Sequence, residues 1–73
     1  MRVAHDFGLV RIVHLGDPME HASDIVVETQ EVDGTWKRYM GFNSLSDDYA
    51  HTNAREAAGE AIKRIAKEKA GAV

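Results

Sequence analysis

The sequence predicts an α+β fold in which a three-stranded antiparallel sheet is followed by one C-terminal amphipathic helix (βββα). Three observations indicate this fold: short β-branched segments within the first 42 residues, an Asp-Gly pair between two of them, and a helical repeat of apolar side chains near the C-terminus. The 73 residues are enough for one small domain, so we expect residues 1–73 to fold as a single unit.

The first predicted strand covers residues 9–15, Leu-Val-Arg-Ile-Val-His-Leu, in which β-branched side chains are frequent. Gly16-Asp17-Pro18 follows and ends the strand, because glycine favours a turn and proline cannot donate a ladder hydrogen bond. No strand is predicted in the eight residues before it.

The second and third predicted strands, residues 24–32 and 35–42, form a hairpin around Asp33-Gly34. Both turn residues tolerate the positive φ angles of a two-residue turn. Pairing the residues that flank this turn sets the register of the two strands.

That register predicts which side chains face the core. It places Ile25 opposite Phe42 and Val27 opposite Met40, on the face that should be covered. It also places Tyr39 on the outward face of the sheet.

The clearest pattern in the chain predicts an amphipathic helix. Apolar side chains recur at the spacing of one helix face: Ala54, Ala57, Ala58, Ala61, Ile62, Ile65 and Ala66. Thr52 or Asn53 is suited to cap the helix, and a first turn at residues 47–51 is the alternative start. The predicted core contains Val10 or Val13, Ile12, Ile25, Val27, Met40, Phe42, Ala58, Ala61, Ile62 and Ile65.

Composition excludes several classes of protein. The chain has no cysteine, which rules out disulfides, thiolate metal sites and cysteine nucleophiles. Its apolar runs are far shorter than the ~20 residues that span a bilayer, and its N-terminus lacks a secretory pattern. We therefore expect a cytoplasmic protein that does not contact membranes.

The charge is uneven along the chain. Residues 1–36 hold seven acidic and two basic side chains, a net charge of −5, whereas residues 37–73 hold five acidic and seven basic ones, a net charge of +2. The total of −3 is unlike that of most nucleic-acid-binding modules, which are basic.

Several motifs resemble those of double-stranded-RNA-binding domains, over roughly residues 9–66. The similar segments are Gly16-Asp17-Pro18, His21, Asp24-Ile25-Val26-Val27, Asp33-Gly34 and the alanine-rich stretch from Asn53 to Ile65. The resemblance implies a sheet-and-helix fold and a minor-groove contact by His21. The sequence departs from the family in lacking its leading helix, and at the family's lysine cluster only Arg55 keeps a full positive charge.

No catalytic residue, metal site or cofactor is predicted. His14, Asp17 and His21 are close along the chain, and His51 follows Asp47 and Asp48 at helical spacing. Neither group offers a convergent third ligand, and no serine has the spacing of a nucleophile with its base.

The predicted function is that of a non-enzymatic protein–protein interaction module with a basic partner. The candidate partner-binding residues are the acids of the second strand and hairpin with one outward aromatic: Asp24, Glu28, Glu31, Asp33 and Tyr39. In size and charge the chain is similar to small acidic inhibitors of nucleic-acid-binding machines, such as phage anti-defence proteins.

The alternative is a nucleic-acid-binding module of the double-stranded-RNA-binding type. Its candidate contacts are His21, Lys37, Arg38, Arg55, Lys63, Arg64 and Lys67. Glu60 and Glu68 interrupt the basic stretch of the helix, which favours an ordinary solvated face.

Self-association as a homodimer is also predicted. A chain of this length buries only about 60% of its unfolded surface, and its helix stripe is mostly alanine. The outward groups Val26, Val32 and Tyr39 are expected to be available to a second copy.

Overall fold

The computed structural model describes residues 1–71 and shows a four-stranded antiparallel sheet followed by one C-terminal helix. The elements are β1 (Arg2–Asp6), β2 (Val10–His14), β3 (Ile25–Gln30), β4 (Trp36–Phe42) and α1 (Ala50–Gly71). The strands lie in the order in which they occur in the chain, β1-β2-β3-β4. The α+β class and the C-terminal helix are confirmed, and the sheet has one strand more than predicted.

The additional strand, β1, is an exposed edge strand. Val3 pairs with Val13 and Asp6 with Arg11, and the register shifts once between them. In the turn that follows, Gly8 has a φ of +91° and donates its amide to Asp6 Oδ1 at 2.9 Å. Hydrogen bonds to β2, rather than buried side chains, hold β1 in the sheet. Its sequence therefore needs no alternation of apolar and polar residues, and it lacks the pattern that predicts a strand.

The β3–β4 hairpin turns at the predicted place but with a longer loop. Glu31 donates its amide to the carbonyl of Thr35 at 2.8 Å, and Gly34, with a φ of +89°, donates to the carbonyl of Glu31 at 2.9 Å. These bonds close a three-residue loop with glycine in the left-handed region. Val32 therefore lies in the turn, with a fully exposed side chain, and does not pair with Thr35.

A β-bulge at Tyr39 compensates for the longer loop. Val27 lies opposite Met40, as predicted, whereas Glu28 lies opposite Arg38, so Tyr39 is the extra residue of β4. Tyr39 is half-buried against the core that α1 covers. The prediction that Tyr39 faces outward is wrong, because the bulge changes the alternation of side chains along β4.

The core lies between one face of the sheet and α1. Its buried members are Val10, Ile12, Ile25, Val27, Ala50, Ala54, Ala57, Ala58 and Ala61. The buried positions of α1 are all alanine, which allows the helix backbone to lie close to the sheet. Phe42 and Ile65 are half-buried at the margin of this core.

Two predicted core residues are exposed instead. Met40 is 42% exposed on the edge strand β4, next to the bulge, and Ile62 is 40% exposed. Ile62 lies about 100° from Ala61 around the helix axis. Because the alanine stripe faces the sheet, Ile62 lies on the flank of the helix and is partly exposed.

The start of α1 agrees with the earlier of the two predicted starts. Asp47 Oδ1 accepts the amide of Tyr49 at 2.9 Å, and Asp47 Oδ2 accepts Nδ2 of Asn53 at 2.8 Å. Asp47 therefore acts as the capping residue, and Asn53 lies inside the helix. Among residues 1–71, no helix is both long and apolar enough to cross a membrane.

The face of the sheet opposite α1 also contains buried side chains. Val13 and Val26 pair with each other and are almost fully buried. Arg11 contributes to a layer of long side chains on this face, since its Nε donates to Glu28 Oε1 at 2.7 Å and its guanidinium lies 4.0 Å from the centre of the Trp36 ring.

Candidate functional site

Both hairpin turns and the C-terminal part of α1 meet at one end of the molecule, which we call the hairpin end. It comprises residues 7–9, residues 31–35 and the helix from residue 62 onward. A 22-residue helix is ~33 Å long. The seven-residue β4 spans only ~23 Å, so α1 extends beyond the sheet.

Exposed apolar side chains cluster at the hairpin end. We call Phe7, Leu9, Val32, Ile62 and Ile65 the apolar patch. All but the half-buried Ile65 are at least 36% exposed. Leu9 and Ile65 line both a groove of about 230 Å³ that includes Phe7 and Ile62, and a neighbouring groove that reaches Val32. The patch is therefore continuous across both turns and the helix.

Carboxylates surround this patch. Asp6 precedes Phe7, Glu31 and Asp33 flank Val32, and Glu68 lines the same groove as Leu9 and Ile65. We call Asp6, Glu31, Asp33 and Glu68 the acidic rim. All four side chains are exposed. Lys69 lines these grooves as well, and Lys37, Arg38 and Arg64 share a third groove with Glu31, Glu68 and Ile65, so basic side chains lie among the carboxylates of the rim.

Asp33 is held as a carboxylate within its turn. Its Oδ1 accepts the hydroxyl of Thr35 at 2.6 Å and the amide of Thr35 at 3.0 Å. These two hydrogen bonds lower the pKa of Asp33 below its ordinary value. Asp33 therefore stays charged at any pH near neutrality.

The opposite end of the sheet, which we call the loop end, has a different organisation. It comprises the β2–β3 connection, the β4–α1 connection and the first turns of α1. Asn43 Nδ2 donates to the carbonyls of Met19 at 2.7 Å and Ala22 at 2.6 Å, and its Oδ1 accepts the amide of Leu45 at 2.8 Å. One side chain thus ties the two connections together.

Asp24 belongs to the same polar network. It is only 8% exposed, and its two oxygens accept the amide of Ser44, at 2.7 Å, and the Ser44 hydroxyl. Burial alone would raise the pKa of Asp24, but the hydrogen bonds from Ser44 outweigh burial and lower it. The structure therefore places this predicted contact residue inside the fold, where a partner cannot reach it.

The other predicted partner-binding residues are divided between surfaces. Glu28 is half-buried in its ion pair with Arg11, and Tyr39 packs at the edge of the core. Glu31 and Asp33 remain exposed at the hairpin end. Two of the five predicted residues therefore share one accessible surface.

The predicted nucleic-acid contacts converge only in part, since Lys37, Arg38 and Arg64 line one groove together with Glu31 and Glu68. Arg38 lies opposite Glu28 in the ladder, Lys37 and Arg64 line a groove beside Tyr39, and Arg55 lies near the start of α1. The remaining contacts are exposed, with His21 in the β2–β3 connection at a φ of 65° and Lys63 and Lys67 on α1.

A cluster of histidines at the loop end was not predicted from the sequence. His5, His14, His51 and Arg55 line a small cavity of about 60 Å³, which we call the histidine cavity. The rings of His14 and His51 lie edge to face with centroids 5.4 Å apart. Arg2 Nη2 lies 2.9 Å from His14 Nδ1. Within residues 1–71, no group of three His, Asp or Glu side chains has an arrangement that could hold a metal ion.

The cavity changes the basicity of one of its histidines. Burial lowers the pKa of His14, and the charges of Arg2 and His51 lower it further, against an opposing effect of Asp24. His14 is therefore neutral at neutral pH.

One signal in the sequence could have located the apolar patch, because apolar residues flank Gly8 and suggest an exposed turn. The histidine cavity depends on the pairing of Arg2 with His14, which requires the β1 strand that the sequence analysis missed.

Comparisons with protein-family models, curated proteins and solved structures find no match for this chain. The resemblance to double-stranded-RNA-binding domains stays a prediction.

Proposed function

We propose that this protein is a non-enzymatic protein-binding module whose hairpin end binds a basic, partly apolar segment of another protein. The observation that carries the proposal is the apolar patch enclosed by the acidic rim. An exposed apolar area bordered by polar groups is typical of protein interaction sites, in which a dry centre gives affinity and a charged border gives specificity.

The chemistry of the rim defines the partner. The exposed carboxylates of the rim would pair with lysine and arginine side chains of the partner. Apolar side chains between those cations would fill the grooves on either side of Leu9 and Ile65. A nucleic-acid-binding protein is the class of partner with such a surface, so the module would act as an inhibitor by covering it.

The two parts of the surface have different kinetic roles. The apolar patch should determine how slowly the complex dissociates, since its burial excludes water. The acidic rim should determine how fast the complex forms, and its effect should weaken with added salt. This division separates the proposal from a purely electrostatic attraction.

Affinity capture with two matched double variants tests the proposal. Val32→Ser with Ile62→Ser removes apolar groups from the patch, and Met19→Ser with Leu45→Ser removes two other exposed apolar groups from the loop end. We expect the parent and the loop-end variant to retain a basic protein from a cell extract and the hairpin-end variant to lose it. Retention by both variants, or loss by both while circular dichroism stays unchanged, would contradict the proposal.

Self-association is a separate prediction, and the structure changes the set of residues through which it could occur. Val26 is buried and Tyr39 is half-buried, so only Val32 of the three expected contacts is exposed. A dimer through these groups would therefore use the apolar patch and would compete with the partner. Sedimentation at tens of micromolar distinguishes a monomer from a dimer.

A further inference from the structure

The histidine cavity brings together four side chains that carry or can gain positive charge, and Arg2 contacts one of them, in a protein with a net charge of −3. Arg2 and His5 come from β1, His14 from β2, and His51 and Arg55 from α1. The β1–β2 register places Arg2 opposite His14, and the i, i+4 spacing of His51 and Arg55 places both on one side of the helix.

The permanent charges of this cavity have no carboxylate partner. Among residues 1–71, carboxylates form ion pairs with Arg11 and His21, and with neither Arg2 nor Arg55. Asp24 is the acid that acts on the cavity histidines, and its oxygens already accept two hydrogen bonds from Ser44. The N-terminal turns of α1 add the positive end of the helix dipole.

The hydrogen bonding of His14 leaves a donor available. Arg2 can only donate, so the short contact to Nδ1 requires that this nitrogen accept. Neutral His14 then carries its proton on Nε2. The cavity therefore combines the Arg55 guanidinium with imidazole donors, beside apolar groups of Ile12, Ile25 and Ala54 that exclude water.

We propose that the histidine cavity binds the phosphate group of a small phosphomonoester. The guanidinium of Arg55 and up to three imidazoles match the several oxygens of a tetrahedral dianion through charge-assisted hydrogen bonds, and Arg2 adds positive charge beside His14. A volume of about 60 Å³ limits the cavity to one such group, so the rest of the ligand would lie outside, toward solvent. The site is at the loop end and is independent of the proposed protein-binding surface.

Binding should depend on pH in a defined direction. A bound dianion favours protonated imidazoles, and therefore affinity should increase as pH falls. Protonation of His14 would replace the hydrogen bond that its Nδ1 accepts from Arg2. Phosphate carries less negative charge at pH 6 than at pH 8, whereas sulfate stays a dianion, so sulfate isolates the contribution of the histidines. Arg2, Arg55 and Asp24 keep their charges across this range.

Histidine side-chain NMR of the full chain tests the site. Sodium phosphate and sodium sulfate are titrated at pH 6 and pH 8, against sodium chloride at equal ionic strength. We expect saturable shifts of His14 and His51 with both oxyanions, and sulfate binding at least about fivefold tighter at pH 6. Shifts that chloride reproduces, or that never saturate, would overturn the proposal.

Two substitutions on one helix provide the control. Arg55→Gln removes a cavity cation and should weaken sulfate binding about tenfold, the usual effect of losing a charge-assisted hydrogen bond. Arg64→Gln is the same change outside the cavity and should leave affinity within about twofold. Equal losses in both variants would show general charge attraction and refute the site. His51→Asn gives a second measure of the same loss if Arg55→Gln unfolds the protein.

The source of the phosphate group is decided with two further probes. Phenyl phosphate should compete with sulfate for the same histidine resonances. A 12-base-pair RNA duplex should not displace sulfate at equal phosphate concentration, because a single small cavity cannot follow a nucleic-acid backbone. Tighter binding of the duplex at His14 and His51 would overturn the assignment to a small ligand.

Discussion

The hairpin end and the loop end use their side chains in opposite ways. At the loop end, Asp24 and Asn43 bond to groups within the protein. At the hairpin end, Phe7 and Val32 are exposed, and Glu31 and Glu68 are exposed carboxylates beside them. A side chain whose partners are internal supports the fold, whereas an exposed one is free to bind something else. We therefore expect substitutions of Asp24 and Asn43 to affect stability and those of the exposed hairpin-end residues to affect protein binding.

The largest expected effect tests the loop end directly. Asp24→Ala should lower the free energy of unfolding by about 3 kcal/mol, because it leaves the amide and hydroxyl of Ser44 unsatisfied. Urea unfolding measures the change. Glu31→Gln, an acid of the hairpin end, is the control and should leave the midpoint unchanged. A small loss for Asp24→Ala would remove the distinction between the two ends.

The alanine stripe offers the next comparison, along a single helix. Ala58 is 1% exposed against the sheet, so Ala58→Leu should destabilise the protein by about 2 kcal/mol through overpacking. Ala70→Leu makes the same change near the C-terminal end of α1, at an exposed position, and should be neutral. If both variants unfold at the parent's urea midpoint, α1 does not pack closely on the sheet.

Substitutions of two glycines by alanine are expected to change the stability in opposite directions. A Cβ added to Gly41 would lie 2.6 Å from the Ser23 hydroxyl, so Gly41→Ala should destabilise the loop end by roughly 1–2 kcal/mol. Gly59 has no atom within 4 Å of an added Cβ, and Gly59→Ala in the helix should stabilise by up to about 1 kcal/mol. Thermal unfolding measures both changes, and two changes of the same sign would contradict this account.

The pH dependence of stability should also originate at the loop end. The pKa of His14 is lowered from 6.5, so the unfolded chain binds its proton first, and stability should fall as pH decreases through 6.5 toward the folded pKa. The pKa of Asp24 is lowered from 3.8, so its contribution is present above 3.8 and is lost as pH falls through the folded value. Urea midpoints should therefore fall in two steps, and His14→Gln should abolish the first. A parent midpoint that stays constant from pH 8 to pH 5 would contradict this assignment.

The elements that were predicted correctly from the sequence are those whose own side chains are buried. β2, β3 and the alanine face of α1 carry periodic apolar groups, and periodicity is a local signal. β1 was missed because its stability depends on hydrogen bonds to β2, and Tyr39 was misplaced because the three-residue loop and the bulge shift the register in opposite directions. Neither effect is visible within one strand.

The candidate sites were less predictable for the same reason. Acidity at Glu31 and Asp33 could be read from the sequence, but the burial of Asp24 depends on Ser44, twenty residues further along the chain. The apolar patch joins both hairpin turns to one helix end, and only the folded chain brings these segments together.

The association rate with the captured basic partner tests the central comparison most directly. Glu31→Lys with Glu68→Lys reverses two charges of the acidic rim, and Asp17→Lys with Glu20→Lys makes the same net change at the loop end. At low salt, we expect the hairpin-end reversal to slow association about tenfold or more and the loop-end reversal to change it less than about twofold. Equal slowing by both reversals would show that only net charge matters, and would contradict the proposal that the hairpin end is the binding surface.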